Sequence, residues 1–528
     1  MSQRDEPTEP STVATRPSYH RVLSQNELSY FLPSRAFGLN DMFLHLIVRA
    51  PPGLLSPLRL RMVWAILRLR HTLLACQIQM DPGCYDEAQF KYTPPASPSE
   101  AVEEAGDTVR VYDDKTGPEL VEAFINPTSP RKLSSRRIAC IDVAKHGEVS
   151  PGIEEYHIIV MTIHAVTDGV SVHRHGNIIL ELLCGSSTPG GPPRTDAELA
   201  YLLDLEWKMR WAQPRVGEVI VPATEDRLPS PRSKFQMAAW TVDHQNLEKR
   251  AIGGHVLPRL KNQTCKQVIE QKYFDVQETS AILAKCKEQR TTLANASFAL
   301  CNFAWIRTAQ NHPEFYASKS LPMMFYTAVS LRRHLPLAPL SSYTSLALTY
   351  CNIVLPSFIP RSVDPRAMFW LRARSAQSQM SIFCRSPLIS ARSHIMSAKR
   401  GLRAKAFAKQ DDEDDGMPQQ KPIQAPSPGA STVPSVALMG ISFLGDLDQI
   451  YRTDRYPSAQ LVNSFGQVRK APGGIMLFTQ MLHGEFSVAL GWDVAAFPPG
   501  VIEEFLDNFA DSVREYILGF SSDMSTKL

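Results

Sequence analysis

The tightest constraint on how this chain can fold is the run Tyr156-His157-Ile158-Ile159-Val160-Met161-Thr162-Ile163-His164-Ala165-Val166-Thr167-Asp168-Gly169. Its first part is almost unbroken apolar sequence, the pattern of a strand buried on both faces. It stops abruptly in a polar turn, which places His164 at a strand end. After the turn, Ser171 is a candidate N-cap for a helix whose Val172, Ile179, Leu182 and Leu183 approximate helical spacing, and Gly185 lies where that helix would stop. Strand, turn and helix make a rigid mount for one imidazole.

An imidazole titrates near neutrality, so His164 facing a cavity can take a proton from a bound nucleophile. Asp168 follows too closely, across a tight turn, to be assumed a triad-style partner. Its carboxylate can instead fold back and tie the turn to a distant cation, with Gly169 allowing a backbone conformation that a side chain would obstruct. A histidine after a buried strand is also an ordinary satisfied core group, so the chemical reading needs further residues.

Those residues come from a resemblance. His164-Ala165-Val166-Thr167-Asp168-Gly169 resembles the HxxxDG signature of the superfamily that holds chloramphenicol acetyltransferase, the plant BAHD acyltransferases and the condensation domains of nonribosomal peptide synthetases. Ser330-Leu331-Arg332-Arg333 and then Cys351-Asn352 follow in the order of the plant enzymes, and Leu69-Arg70-His71-Thr72-Leu73-Leu74 resembles the R-H-P-L-L segment of condensation domains. The resemblance implies an α+β fold of two chloramphenicol-acetyltransferase-like subdomains with the active site in the channel between them. It implies His164 as general base, Asp168 in a structural ion pair with Arg332, and Gly169 as the turn of the motif. The donor it implies is acetyl-CoA or another acyl-CoA, as co-substrate and with no bound cofactor, and the acceptor is a small-molecule alcohol. Within the superfamily the chain is most similar to fungal O-acetyltransferases of the trichothecene 15-O type, which act in mycotoxin biosynthesis. The plant DFGWG segment is absent, with only Gly491-Trp492-Asp493 near it in type, and Ile163 stands where condensation domains carry a second histidine. The alternatives are a condensation-type N-acyl or carrier-dependent acyltransferase, and a noncatalytic carrier-docking module.

Composition excludes other classes. The chain has 528 residues, 44% hydrophobic and 21% charged, enough for a large core and, at roughly 150 residues per domain, for several units. A net charge of +3 is no footprint for nucleic acid or an anionic membrane. Nine cysteines without a CxxC pair read as buried thiols in a reducing compartment. The polar N-terminus lacks the apolar segment of a secretory signal and no run of about twenty apolar residues occurs, so a cytoplasmic monomer without a membrane span is expected. No GxGxxG, Walker or GxSxG motif is present, which favours direct transfer without a covalent enzyme intermediate. His173 and His175 lack a third and fourth partner at metal spacing, so no metal is expected.

Residues 1–18 read as a disordered N-terminus, 19–215 as the subdomain carrying the motif, 216–258 as a crossover, and 259–528 as the second subdomain. Within the latter, about 402–435, around Asp411-Asp412-Glu413-Asp414-Asp415, reads as a disordered insert. Ser56-Pro57 starts a helix with Leu60, Val63, Trp64 and Leu67 inward and Arg59, Arg61, Arg68 and Arg70 towards solvent. Residues 136–143 read as a strand separated from the motif strand by the polar stretch 144–155. In the second half a helix is predicted over 293–308, Asp275 and Glu278 have capping-box spacing, and 323–331 reads as a strand running into Arg332. His483-Gly484-Glu485 joins a hairpin, and Val501, Phe505, Leu506, Phe509 and Val513 face inward on a closing helix. Asn463 and Ser464, ahead of a turn at Gly466, are candidates to meet an oxyanion, without a firm role.

Overall fold

The computed structural model describes residues 16–520 apart from 128–130, 189, 214, 216, 261–264, 313–320, 337–344 and 414–433. Its strands are β1 (Tyr19–Val22), β2 (Met42–Ala50), β3 (Gln77–Gln79), β4 (Gln89–Tyr92), β5 (Val109–Tyr112), β6 (Ala139–Ser150), β7 (Ile153–Thr162), β8 (Gln267–Phe274), β9 (Met323–Ser330), β10 (Leu348–Leu355), β11 (Ala437–Asp446), β12 (Gln460–Val468), β13 (Ile475–Leu482) and β14 (Glu485–Asp493). They form three sheets, ordered β1-β4-β3, β12-β2-β7-β6-β5 and β10-β9-β11-β13-β14-β8, the last two each backed by helices around its own apolar core. This is the expected α+β architecture in two halves.

The motif strand β7 is buried from Tyr156 to its end and lies between β2 and β6, as its apolar run demands. The stretch 144–155 is not a polar separator. It extends β6 and β7 into one long hairpin that turns at Gly152, whose φ of +73° suits glycine. The polar residues occupy the exposed end of this ribbon, where alternation is not needed.

The helix Pro57–Arg70 starts as predicted, with Ser56 capping and Pro57 in the first turn. Two of its arginines are not solvated. Arg59 is buried, pairing with Asp196 at 2.7 Å and donating to the Leu183 carbonyl at 2.7 Å, and Arg68 is largely covered. A second helix, Asp196–Trp211, packs over this face, so the arginine stems are buried while their heads reach a helix C-terminus and a carboxylate.

The division of the chain at 215 and 259 is crossed by one strand. β12 comes from the second half yet pairs antiparallel with β2 in the sheet of the first. Gly466 is therefore not in a turn: it lies in β12 opposite Leu44, and a Cβ there would sit 2.8 Å from the Phe43 carbonyl oxygen. The crossover itself carries the helix Lys234–Lys249, which buries Trp240 and His244.

The predicted insert starts too early. A helix runs from Ile389 to Glu413 and lies along the first helix, Gln25–Phe37, burying Ala404 and Ala408; residues 414–433 of the insert lie outside the described residues. Small residues make this contact close: a Cβ on Gly401 would approach Gln25 Oε1 to 2.3 Å and its Cβ to 3.0 Å. Asp412 pairs with Arg35 at 2.6 Å and accepts from the Tyr85 hydroxyl at 2.6 Å, so the acidic run anchors the helix end. Ser435 and Val436 are ordered against Gly253. Residues 1–15 of the predicted N-terminal tail also lie outside the described residues.

The second half follows its signals. Asp275 and Glu278 form a capping box on the helix Val276–Glu288, and the helix Leu293–Asn311 is buried along most of its length. β13 and β14 turn through His483 and Gly484 at φ of +55° and +73°, the left-handed pair of a two-residue hairpin. Val501, Phe505, Leu506, Phe509 and Val513 are all buried. All nine cysteines are free; six are buried, Cys84 and Cys384 half-buried, and Cys265 exposed. Among the described residues no helix is long and apolar enough to cross a membrane.

Candidate active site

His164 lies just beyond the end of β7, where Ile163 still donates to the carbonyl of Ile138, the residue before β6, and Val166 closes a turn onto Ile163. The imidazole is 9% exposed. Its Nδ1 is 2.8 Å from the Thr167 carbonyl oxygen. A carbonyl only accepts, so Nδ1 carries the proton and Nε2 keeps its lone pair. Burial pushes this histidine below its ordinary value, while its backbone contacts and the Asp168 charge act in the other direction; Arg400 adds a downward push. The neutral, proton-accepting form is therefore the resting state near neutrality.

Asp168, rather than Ser171, is the N-cap of the motif helix Gly169–Cys184, with its Oδ1 accepting from the Ser171 amide at 3.1 Å. Its Oδ2 accepts from Arg332 Nη1 at 2.7 Å and from the Ala347 amide at 3.1 Å. Arg332, in the turn after β9, also donates to Ser171 Oγ at 2.7 Å and to the Ser345 carbonyl at 2.9 Å. The carboxylate is thus consumed by an N-cap, an ion pair and a backbone amide, which joins the motif turn to the β9–β10 connection of the other half. A carboxylate so engaged has no capacity left for proton transfer. Ser171 serves as a partner of Arg332 because the residue three positions before it already fills the cap.

Gly169 has no left-handed backbone. Its constraint is space, since a Cβ would lie 2.7 Å from Leu444 Cδ2 on β11. His173 and His175 are buried on the motif helix. His173 Nδ1 lies 2.9 Å from the Tyr451 hydroxyl, and the His175 ring sits 5.1 Å from that of His71, in the segment that resembles R-H-P-L-L. Among the described residues no group of three His, Cys, Asp or Glu side chains could hold a metal ion. Ser464 is wholly buried, its hydroxyl 3.3 Å from Tyr451 OH and 3.4 Å from His173 Nδ1, while Asn463 donates to Tyr273 OH at 3.1 Å. Both side chains of β12 are engaged in hydrogen bonds to neighbouring side chains.

Three site residues escaped the sequence reading. Tyr30, from the first helix, stacks on His164 at 4.2 Å between ring centroids and 28° between planes. Its hydroxyl meets that of Tyr350 on β10, and the Arg400 guanidinium of the helix Ile389–Glu413 lies 5.0 Å over Tyr30 and 4.5 Å over Tyr350. Small residues every four positions, Ser393, Ser397 and Gly401, are the one signal that marks Arg400's helix as closely packed. A cavity of about 640 Å³ lies farther along the first helix, lined by Phe31, Arg35, Ile78, Met80 and Asp412 among others, and contains none of the motif residues.

No family model matches the sequence, and no curated protein matches it. Solved structures do. Trichothecene 15-O-acetyltransferase TRI3 from Fusarium sporotrichioides is 12% identical with a TM-score of 0.69, the match covering 96% of this chain and 98% of that one. The condensation domain of the monacolin K polyketide synthase MokA is 12% identical with a TM-score of 0.57, covering 95% and 98%. Polyketide synthase associated protein 5 from Mycobacterium tuberculosis is 12% identical with a TM-score of 0.53, covering 95% and 100%. The chain therefore has the two-subdomain, chloramphenicol-acetyltransferase-like fold of condensation and acyltransferase proteins.

Proposed function

We propose that this protein is an acyl-CoA-dependent O-acyltransferase that transfers acetyl, or a similar acyl group, to a hydroxyl of a hydrophobic secondary metabolite. The observation that carries the reading is the division of labour at the motif: His164 is held with Nε2 unprotonated, and Asp168 is locked to Arg332. His164 Nε2 takes the proton of the acceptor hydroxyl as its oxygen attacks the thioester carbonyl. The tetrahedral adduct expels CoA, and the imidazolium returns the proton to the leaving thiolate. Asp168, Gly169 and Arg332 shape the turn and take no proton. The fold likeness to a trichothecene 15-O-acetyltransferase supports the choice of O-acetyl transfer, and an oxyanion donor worth about 3–4 kcal/mol is still required by this chemistry. The chain offers no evident loop for activating an acid with nucleotide, so the acyl group arrives as a thioester.

The test is incubation with acetyl-CoA, longer acyl-CoAs and carrier-bound donors against hydroxylated terpenoid and polyketide acceptors, read by mass spectrometry. An O-acylated product from a free acyl-CoA is the expected result. Transfer only from a carrier protein, or only to an amine, replaces the reading with the condensation type. Carrier binding without turnover makes the chain a docking module.

A further inference from the structure

Arg400 has no counter-ion among the described residues, and its one polar contact there is Nε to Ser29 Oγ at 3.3 Å. Three other cations of its helix are paired: Arg392 with Asp243 at 2.8 Å, Lys399 with Glu248, and Lys405 with Asp86 at 2.7 Å. Arg403, one turn beyond, is exposed, repels Arg400 and lies within electrostatic reach of Tyr326 and Tyr350. It too has no carboxylate partner among the described residues. Cation–π contacts hold a guanidinium in place without cancelling its charge. Tyr30 and Tyr350 do this for Arg400, and Tyr326 is itself seated hard against Gly440, where a Cβ would approach its ring to 2.4 Å. Two adjacent uncompensated guanidinium groups repel one another, and an anion bound between them relieves that repulsion.

The position limits which anion this is. Tyr30 carries His164 at 4.2 Å and Arg400 at 5.0 Å, so the guanidinium and the imidazole both touch one aromatic ring. The phosphates of an acyl-CoA lie a whole pantetheine arm away from the thioester, too far to sit here while the thioester meets His164. The negative group therefore belongs to the acceptor. We propose that Arg400, held by Tyr30 and Tyr350 and assisted by Arg403, binds a carboxylate on the acceptor, so that the substrate is a hydrophobic hydroxy acid. This rests on the O-acyl transfer reading for its hydroxyl but not for its carboxylate.

The experiment uses the full chain with acetyl-CoA and paired acceptors, hydroxylated alkyl and aryl carboxylic acids and the methyl ester of each, and compares kcat/KM within each pair. The wild type is expected to prefer the acid by about tenfold or more, a charge-assisted hydrogen bond's worth. Arg400→Met should collapse that preference towards unity, Arg400→Lys should keep part of it, and Arg403→Gln should weaken it less; melting curves verify each fold. Equal use of acid and ester by the wild type overturns the proposal. So does a preference that survives Arg400→Met, or an equal loss of all acceptors in a folded Arg400→Met. If no acceptor is acylated, the transfer reading fails alone: calorimetric titration with the same acids then decides, weaker binding to Arg400→Met than to wild type supporting the carboxylate site and undiminished or absent binding overturning it.

Discussion

Arg332 Nη1 and Asp168 Oδ2, 164 positions apart in the chain, lie 2.7 Å from one another with the carboxylate wholly buried. The pair joins the N-terminus of the motif helix to the turn after β9 and so bridges the two cores. Removing one partner of such a buried pair leaves an uncompensated charge and costs about 3–5 kcal/mol. Asp168→Ala and Arg332→Met should each lower unfolding free energy by that order. The double variant should lose clearly less than the sum, measured by urea unfolding in a double-mutant cycle. Strict additivity would show that the two charges do not act as a pair.

His164→Ala should reduce acyl transfer by about 10²–10⁴-fold, the usual worth of a general base. Its melting temperature should change little, because the ring's contacts are the stacking on Tyr30 and a bond to the Thr167 carbonyl. Because His164 is held below its ordinary value of 6.5, the acid limb of kcat/KM should fall at a lower pH than that of an unperturbed histidine. A pH–rate profile reads this directly.

Stability has its own acid limb. Burial pushes His45 and His173 from 6.5 down to about 3, and His175 well down also. Below about pH 6.5 the unfolded chain binds protons that these native sites refuse, so stability falls as pH drops from there towards about 3 and is indifferent to these groups above it. His45 and His173 each contribute a slope of up to about 1.4 kcal/mol per pH unit within that window. Urea unfolding of wild type and His45→Gln between about pH 7 and pH 5 checks the sign, the variant having the shallower slope.

Gly401→Leu should destabilise the protein by about 1–3 kcal/mol, as overpacking does, because the first helix leaves no room beside Gly401. Thermal unfolding measures it. A deletion starting at Lys405 should also destabilise, since it removes buried Ala408 and the Asp412 contacts with Arg35 and Tyr85.

The motif histidine's strand and turn are legible in the sequence because they are local. The apolar run of β7 announces a doubly buried strand, and the six residues after Ile163 carry the histidine, the aspartate and the glycine within one turn, although the cap falls on Asp168 and not on Ser171. The hairpin at His483-Gly484, the capping box at Asp275 and the inward face of the closing helix were read for the same reason: each is a pattern that spans fewer than about four turns of backbone. Arg332 could be tied to Asp168 only through resemblance, and the geometry supplies the distance.

What stayed hidden depends on contacts between segments far apart in sequence. Arg59 looks solvated on its own helix and becomes buried only when the helix Asp196–Trp211 packs over it. Gly466 looks like a turn residue until β12 crosses into the other half's sheet and brings the Phe43 carbonyl against it. The acidic run after Ala408 looks unable to bury anything, yet Arg35 and Tyr85 hold Asp412 while small residues behind it pack on the first helix. Tyr30 stacks on His164 while Tyr350 and Arg400 meet Tyr30 from two further elements, and no local pattern records their meeting. Periodicity reports how one segment divides itself between water and core; which other segment supplies that core, and which charge finds which partner, is decided when the two halves pack and water is excluded between them.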